Sequence, residues 1–85
     1  MLKLLGLVID KDVDSSMLNN IKYNKITKTL TATFNSGAVY NYFKVDRVDV
    51  KLLLSASAKG QSVGKVFDIL IKKDENIKYE LVGAV

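Results

Sequence analysis

Three short runs hold the side chains best suited to chemistry. In Tyr40-Asn41-Tyr42, followed by Lys44, two phenol rings stand at alternate positions of an extended stretch. Strand alternation sends both to one face, with an ammonium beyond them. Such rings offer stacking faces to nucleobases, and a neighbouring lysine answers a phosphate. The same alternation also fits both rings packing beneath a helix with their hydroxyls at the rim. The second run, Gly60-Gln61-Ser62-Val63-Gly64-Lys65, opens a helical pattern. Free backbone N–H groups there, with Ser62, Gly64 and Lys65, can meet an anion, or Ser62 can simply cap the helix. It is not a phosphate loop: three residues rather than four separate its glycines, and Val66 follows the lysine. Third, Asp10, Asp12 and Asp14 share the opening spacing of a calcium loop. Ser15 and Ile21 stand where that loop needs glycine and glutamate, so the run reads as a solvated connection with no metal.

Composition removes whole classes of chemistry. With no histidine and no cysteine, the usual general bases, thiol nucleophiles, disulfides and thiolate metal sites are absent. No pair of carboxylates has an evident acid–base spacing, so the expectation is a protein that is not an enzyme and carries no cofactor. The net charge of +4 is a modest bias toward polyanions. Twelve of the thirteen basic residues are lysine, which weighs against a base-edge reader built on arginine forks. No segment reaches the roughly 20 apolar residues that span a bilayer. A soluble, cytoplasmic chain with no membrane partner is expected.

These runs need elements to position them. At 85 residues the chain amounts to a single domain, 1–85. Residues 2–9 are nearly all apolar and read as a strand, followed by a polar connection over 10–16. Ile21 and Tyr23 share a strand face. Leu30, Ala32 and Phe34 alternate with Thr29, Thr31 and Thr33, as in a half-buried strand. Asn35-Ser36-Gly37 reads as a tight hairpin turn leading to a strand over 38–44. Asp46 is placed to cap a helix over 47–58 whose inner stripe is Val48, Leu52 and Ala56, with Leu53 and Leu54 widening the apolar band. Val63, Val66, Phe67, Leu70 and Ile71 form the core stripe of a second helix. A turn at 74–76 leads to a last strand over 77–82. The fold class predicted is α+β: an antiparallel sheet of four to five strands, with two consecutive helices before the last one. The apolar strand 2–9 and the extra leucines of the first helix predict a homo-oligomer.

The run from Ser15-Ser16 through Ile21, Tyr23, Leu30, Phe34, Gly37 and Val39 to Tyr40-Asn41-Tyr42 resembles the KTSC domain family, named for the C-terminus of some lysyl-tRNA synthetases. Ser62-Val63-Gly64-Lys65-Val66-Phe67-Asp68 resembles that family's Ser-x-Gly-x-aromatic-Phe-Asn segment, and the similarity covers about 14–82. Val66 in place of an aromatic and Asp68 in place of asparagine depart from the pattern. The resemblance implies a compact α+β module, in a stand-alone bacterial or phage member, with RNA binding inferred by association with the synthetases. The residues and the resemblance together predict a non-enzymatic module for a phosphate-bearing ligand, RNA or a nucleotide. Its site would be Tyr40, Tyr42, Lys44, Ser62, Gly64 and Lys65. Two alternatives are a phage-type homo-oligomer that sequesters a nucleotide immune signal or blocks a host protein, and a protein–protein adaptor.

Overall fold

The computed structural model describes residues 8–13 and 15–83. Five strands, β1 (Val8–Asp12), β2 (Leu18–Asn24), β3 (Thr29–Phe34), β4 (Val39–Tyr42) and β5 (Tyr79–Gly83), form one antiparallel sheet in chain order. Helix α1 (Arg47–Ala58) and helix α2 (Val63–Phe67) lie between β4 and β5 in the chain, and α2 continues as a π-helical stretch, Asp68–Lys72. This is the α+β architecture the sequence predicts, with two helices before the last strand. Among the described residues no helix is long and apolar enough to cross a membrane.

Alternation divides the sheet into two unlike faces. Leu30 and Ala32 of β3, opposite Tyr42 and Tyr40 of β4, join Ile21 and Tyr23 of β2 on the face that the helices cover. Thr31 and Asn41 face the other way, and the Thr31 hydroxyl donates to the Asn41 side-chain oxygen at 2.6 Å. Along the same outer face, the Asn20 side-chain amide donates to both Asp10 and Asp12 at 2.9 Å. These two carboxylates therefore serve the sheet surface, and Asp14 lies outside the described residues.

The core joins the sheet to Val50, Leu53 and Ala56 of α1 and to Val63, Phe67 and Ile71 of the second helical segment. Buried polar groups are answered within it: the Tyr23 hydroxyl donates to the Val45 carbonyl at 2.5 Å. The hairpin between β3 and β4 closes at Gly37, whose φ of 96° suits glycine. Phe34 closes the turn twice, its N–H donating to the Ala38 carbonyl and its carbonyl accepting from Gly37 N–H, both at 2.9 Å.

Four expectations are corrected by the fold. The strand expected over 2–9 falls largely outside the described residues; within them, β1 begins at Val8 and runs through the supposed polar connection to Asp12. The buried stripe of α1 is Val50, Leu53 and Ala56, not Val48, Leu52 and Ala56; Val48 and Leu52 are 65% and 47% exposed. Apolar residues cover all but the Arg47, Lys51 and Ser55 side of this helix, so the band holds more than one candidate stripe, and the fit to the sheet decides between them. Asp46 occupies the N-cap position, but its carboxylate makes no capping hydrogen bond and stands 3.9 Å from the Lys28 ammonium. Finally, β4 stops at Tyr42 because Lys44 adopts a left-handed φ of 57°, which no strand continues through.

The corrected helix face has a direct consequence for stability. Leu53→Ala should lower the unfolding free energy by about 2–5 kcal/mol, because it empties a closed site. Leu52→Ala should change it by less than about 0.5 kcal/mol. Urea melts of the two variants should rank them in that order, and the reverse ranking would turn α1 around.

Candidate functional site

Cross-strand pairing gathers the aromatic side chains. Tyr42 stands opposite Leu30 on one side and Tyr79 on the other, while Tyr40 stands opposite Ala32 and Leu81. Three phenol rings are thereby brought together on the helix-covered face at the β5 end of the sheet. Tyr42 and Tyr79 lie 5.8 Å apart at 33°, Tyr40 and Tyr42 6.3 Å apart at 34°, and Tyr40 and Tyr79 6.1 Å apart at 57°. Two phenylalanines hold the group from behind. Phe67 meets Tyr42 edge-on at 5.3 Å, and Phe34 meets both Tyr40 and Phe67 edge-on at 5.8 Å. Edge-to-face contacts of this kind match the positive rim of one ring to the negative face of the next.

Burial is graded across the three tyrosines. Tyr42 is 4% exposed and belongs to the core, Tyr40 is half-buried, and Tyr79 is 65% exposed. Tyr42 thus packs beneath the helices, and Tyr40 forms the rim. The rings open into a recess of about 360 Å³ lined by Phe34, Ser36, Ala38, Tyr40, Tyr42, Lys72 and Tyr79. Ser36 comes from the β3–β4 turn, and Lys72 closes the π-helical stretch. The wider winding of that stretch is marked by Lys73 N–H, which donates five residues back to the Asp68 carbonyl at 3.0 Å. The Lys73 ammonium is held by the Asp68 carboxylate at 3.3 Å, whereas Lys72 makes no ion pair among the described residues. Burial pushes the Tyr42 phenol up to about 12, with smaller contributions from Tyr40 and Tyr79. Its hydroxyl therefore stays protonated at any physiological pH.

Of the six residues singled out in the sequence, Tyr40 and Tyr42 line this recess and four do not. Lys44 is turned out of the strand by its left-handed backbone and is exposed. The Ser62 hydroxyl accepts from Lys65 N–H at 3.4 Å, the capping role rather than an open anion site. Gly64 lies against the 15–17 turn, where an added Cβ would come within 3.5 Å of Met17 and Ser15. Lys65 is exposed on α2. Sequence reasoning missed Phe34, Ser36, Tyr79 and Lys72 as site residues. Tyr79 was within reach: laying the last strand against β4 puts it beside Tyr42. Lys72 was not, since its position depends on the π winding. Among the described residues there is no grouping of three acidic side chains fit to hold a metal.

The arrangement can hold a planar ring against the open faces of Tyr79 and Tyr40, offer phenol hydroxyls to its edge, and answer an anionic group with Lys72. The KTSC domain model matches residues 14–72. The chain is 42% identical over 48 residues to a lysine–tRNA ligase of Trichormus variabilis, which is 56% of this chain and 9% of that protein. It is 40% identical over 52 residues to a lysine–tRNA ligase of Nostoc punctiforme, 61% of this chain and 9% of that protein. The match thus spans about a tenth of the length of these curated relatives. The crystal structure of a KTSC domain protein from Yersinia pestis superimposes with a TM-score of 0.76 at 25% identity, covering 89% of this chain and 99% of that one.

The graded burial can be read by alkaline titration. Burial raises both Tyr42 and Tyr23 above the usual phenol value. The folded state keeps these protons where the unfolded chain releases them, so their contribution to stability is complete below about pH 10 and is lost as pH rises, for Tyr42 toward 12. Phenolate absorbance from Tyr42 and Tyr23 should rise only above the usual phenol range. Tyr42→Phe should fold normally and lose less stability between pH 10 and 12 than the wild type, and an equal loss would place the Tyr42 hydroxyl in water.

Proposed function

The chain belongs to the KTSC domain family, and on that premise we propose that it is a non-enzymatic module that binds a phosphate-bearing ligand carrying a nucleobase, either a free nucleotide or an RNA. The observation that carries this reading is the recess itself. Tyr79 exposes a ring face, Tyr40 backs it, and Lys72 stands at the same opening with no carboxylate engaging it among the described residues. A volume of about 360 Å³ lies at the small end of ligand sites and suits one nucleotide unit. The lysine–tRNA ligases that share this segment are named for an RNA substrate, which is chemically consonant with a base-stacking surface. With neither histidine nor cysteine, the chain also lacks the commonest catalytic bases and nucleophiles.

The residues named here divide by role. Tyr79→Ala should weaken binding of RNA oligomers or of nucleoside monophosphates by about 1–3 kcal/mol, the worth of one stacked base. It should leave the fold intact, since Tyr79 is mostly exposed. Lys72→Ala should weaken binding less and reduce its salt dependence. Lys44→Gly, at a left-handed position outside the recess, should not weaken binding at all. Titration by fluorescence anisotropy and by ligand-induced melting shifts checks all three. If neither RNA nor millimolar nucleotide shifts the wild-type melting temperature, this reading is wrong.

A further inference from the structure

Among the described residues both margins of the sheet are open edges, and they differ in charge. β1 carries Asp10, Lys11 and Asp12. A second β1 laid antiparallel across it about Lys11 would set each Asp10 against an Asp12, two like-charge contacts of the kind that blunt an edge. The β5 margin carries one charge of each sign, Lys78 and Glu80, on either side of Tyr79. Along it Tyr79, Leu81 and Val82 are large, apolar and exposed.

The ladder shows which backbone groups β5 leaves free. Phe43 N–H donates to the Lys78 carbonyl at 2.9 Å, and Tyr42 stands opposite Tyr79. Bonded and non-bonded pairs alternate in an antiparallel ladder. Phe43 and Lys78 are a bonded pair, so Tyr42 and Tyr79 are a non-bonded one. The N–H and C=O of Tyr79 therefore point away from β4. A donor and an acceptor free on one residue are what a strand related by a two-fold axis needs: each Tyr79 can give its N–H to the carbonyl of the other. In that register Lys78 faces Glu80 of the second copy, Glu80 faces Lys78, and Ile77 lies opposite Leu81. Sliding by two residues to centre Leu81 would set Glu80 against Val82 and lose both ion pairs.

We infer that β5 is the surface on which a second copy of this chain pairs, antiparallel and centred on Tyr79, joining two five-stranded sheets into one. Charge complementarity selects the partner and the register, while the exposed apolar side chains supply the area. Since Tyr79 lines the aromatic recess, the two recesses meet at the two-fold axis. The inference stands on the edge itself and does not depend on which ligand the recess takes.

Sedimentation velocity from micromolar to submillimolar protein tests it. The wild type should be a dimer that dissociates on dilution, more readily at high salt. Glu80→Lys turns both ion pairs into lysine–lysine contacts and should weaken dimerisation by about tenfold. The exchanged double variant Lys78→Glu with Glu80→Lys should restore it. Both positions are exposed, and far-ultraviolet melts should show the variants folded as stably as the wild type. A wild type that stays monomeric at the highest concentration overturns the inference. So does a dimer indifferent to Glu80→Lys, or one that the exchange fails to restore.

Discussion

Phe67 is the contact on which the two layers of this protein depend. Fully buried, its ring stands edge-on to Phe34 of β3 and to Tyr42 of β4, and so fixes the second helical segment over two neighbouring strands at once. A domain of 85 residues has a thin core, and one large aromatic at the layer boundary carries a correspondingly large share of its packing. Two other features follow from it. Tyr42 is held beneath the helices and becomes the floor of the recess. The segment after Phe67 continues in π form to Lys72, which brings an ammonium to the recess edge.

The sheet's one-sided covering explains the division of labour among its side chains. The face toward the helices is apolar or aromatic throughout its centre. The other face holds hydroxyls, amides and carboxylates that bond to one another, such as Thr31 with Asn41 and Asn20 with Asp10 and Asp12. The exposed aromatic surface is thus not spread over the sheet. It is confined to the strip where the helical layer ends short of β5, leaving Tyr79 and Leu81 bare on the otherwise covered face.

How far the sequence foretold this varies by element, for physical reasons. β3 was legible because alternate residues face oil and water, so Leu30, Ala32 and Phe34 declare their side. The second helix was legible because Val63, Phe67 and Ile71 recur at helical spacing, flanked by Val66 and Leu70. α1 failed on its face rather than its existence, since the apolar residues Val48, Val50, Leu52, Leu53 and Leu54 spread over all but the Arg47, Lys51 and Ser55 side and offer more than one candidate stripe. Lys44 failed because a single left-handed residue ends a strand without any change in the hydrophobic pattern. The candidate site was half visible. Tyr40 and Tyr42 show themselves by spacing along one strand, but Tyr79 and Lys72 reach the recess through pairing and winding that arise only in three dimensions.

The position of β5 in the chain has a kinetic meaning. The pairings from β1 to β4 join strands separated by short turns, so these contacts form by short loop closures. β5 pairs with β4 across both helical segments, so its contacts close a much longer loop. That strand is also the one that brings Tyr79, so the recess depends on the closure of the longest loop between paired strands. The same strand can detach while the Phe67–Tyr42 contact persists, since neither of those residues lies on it. Anything stacked on Tyr79 then acts as a latch, resisting the opening that exposes the β5 amides to exchange with solvent. At fixed protein concentration, a ligand-dependent gain in hydrogen-exchange protection confined to this strand becomes a gauge of occupancy.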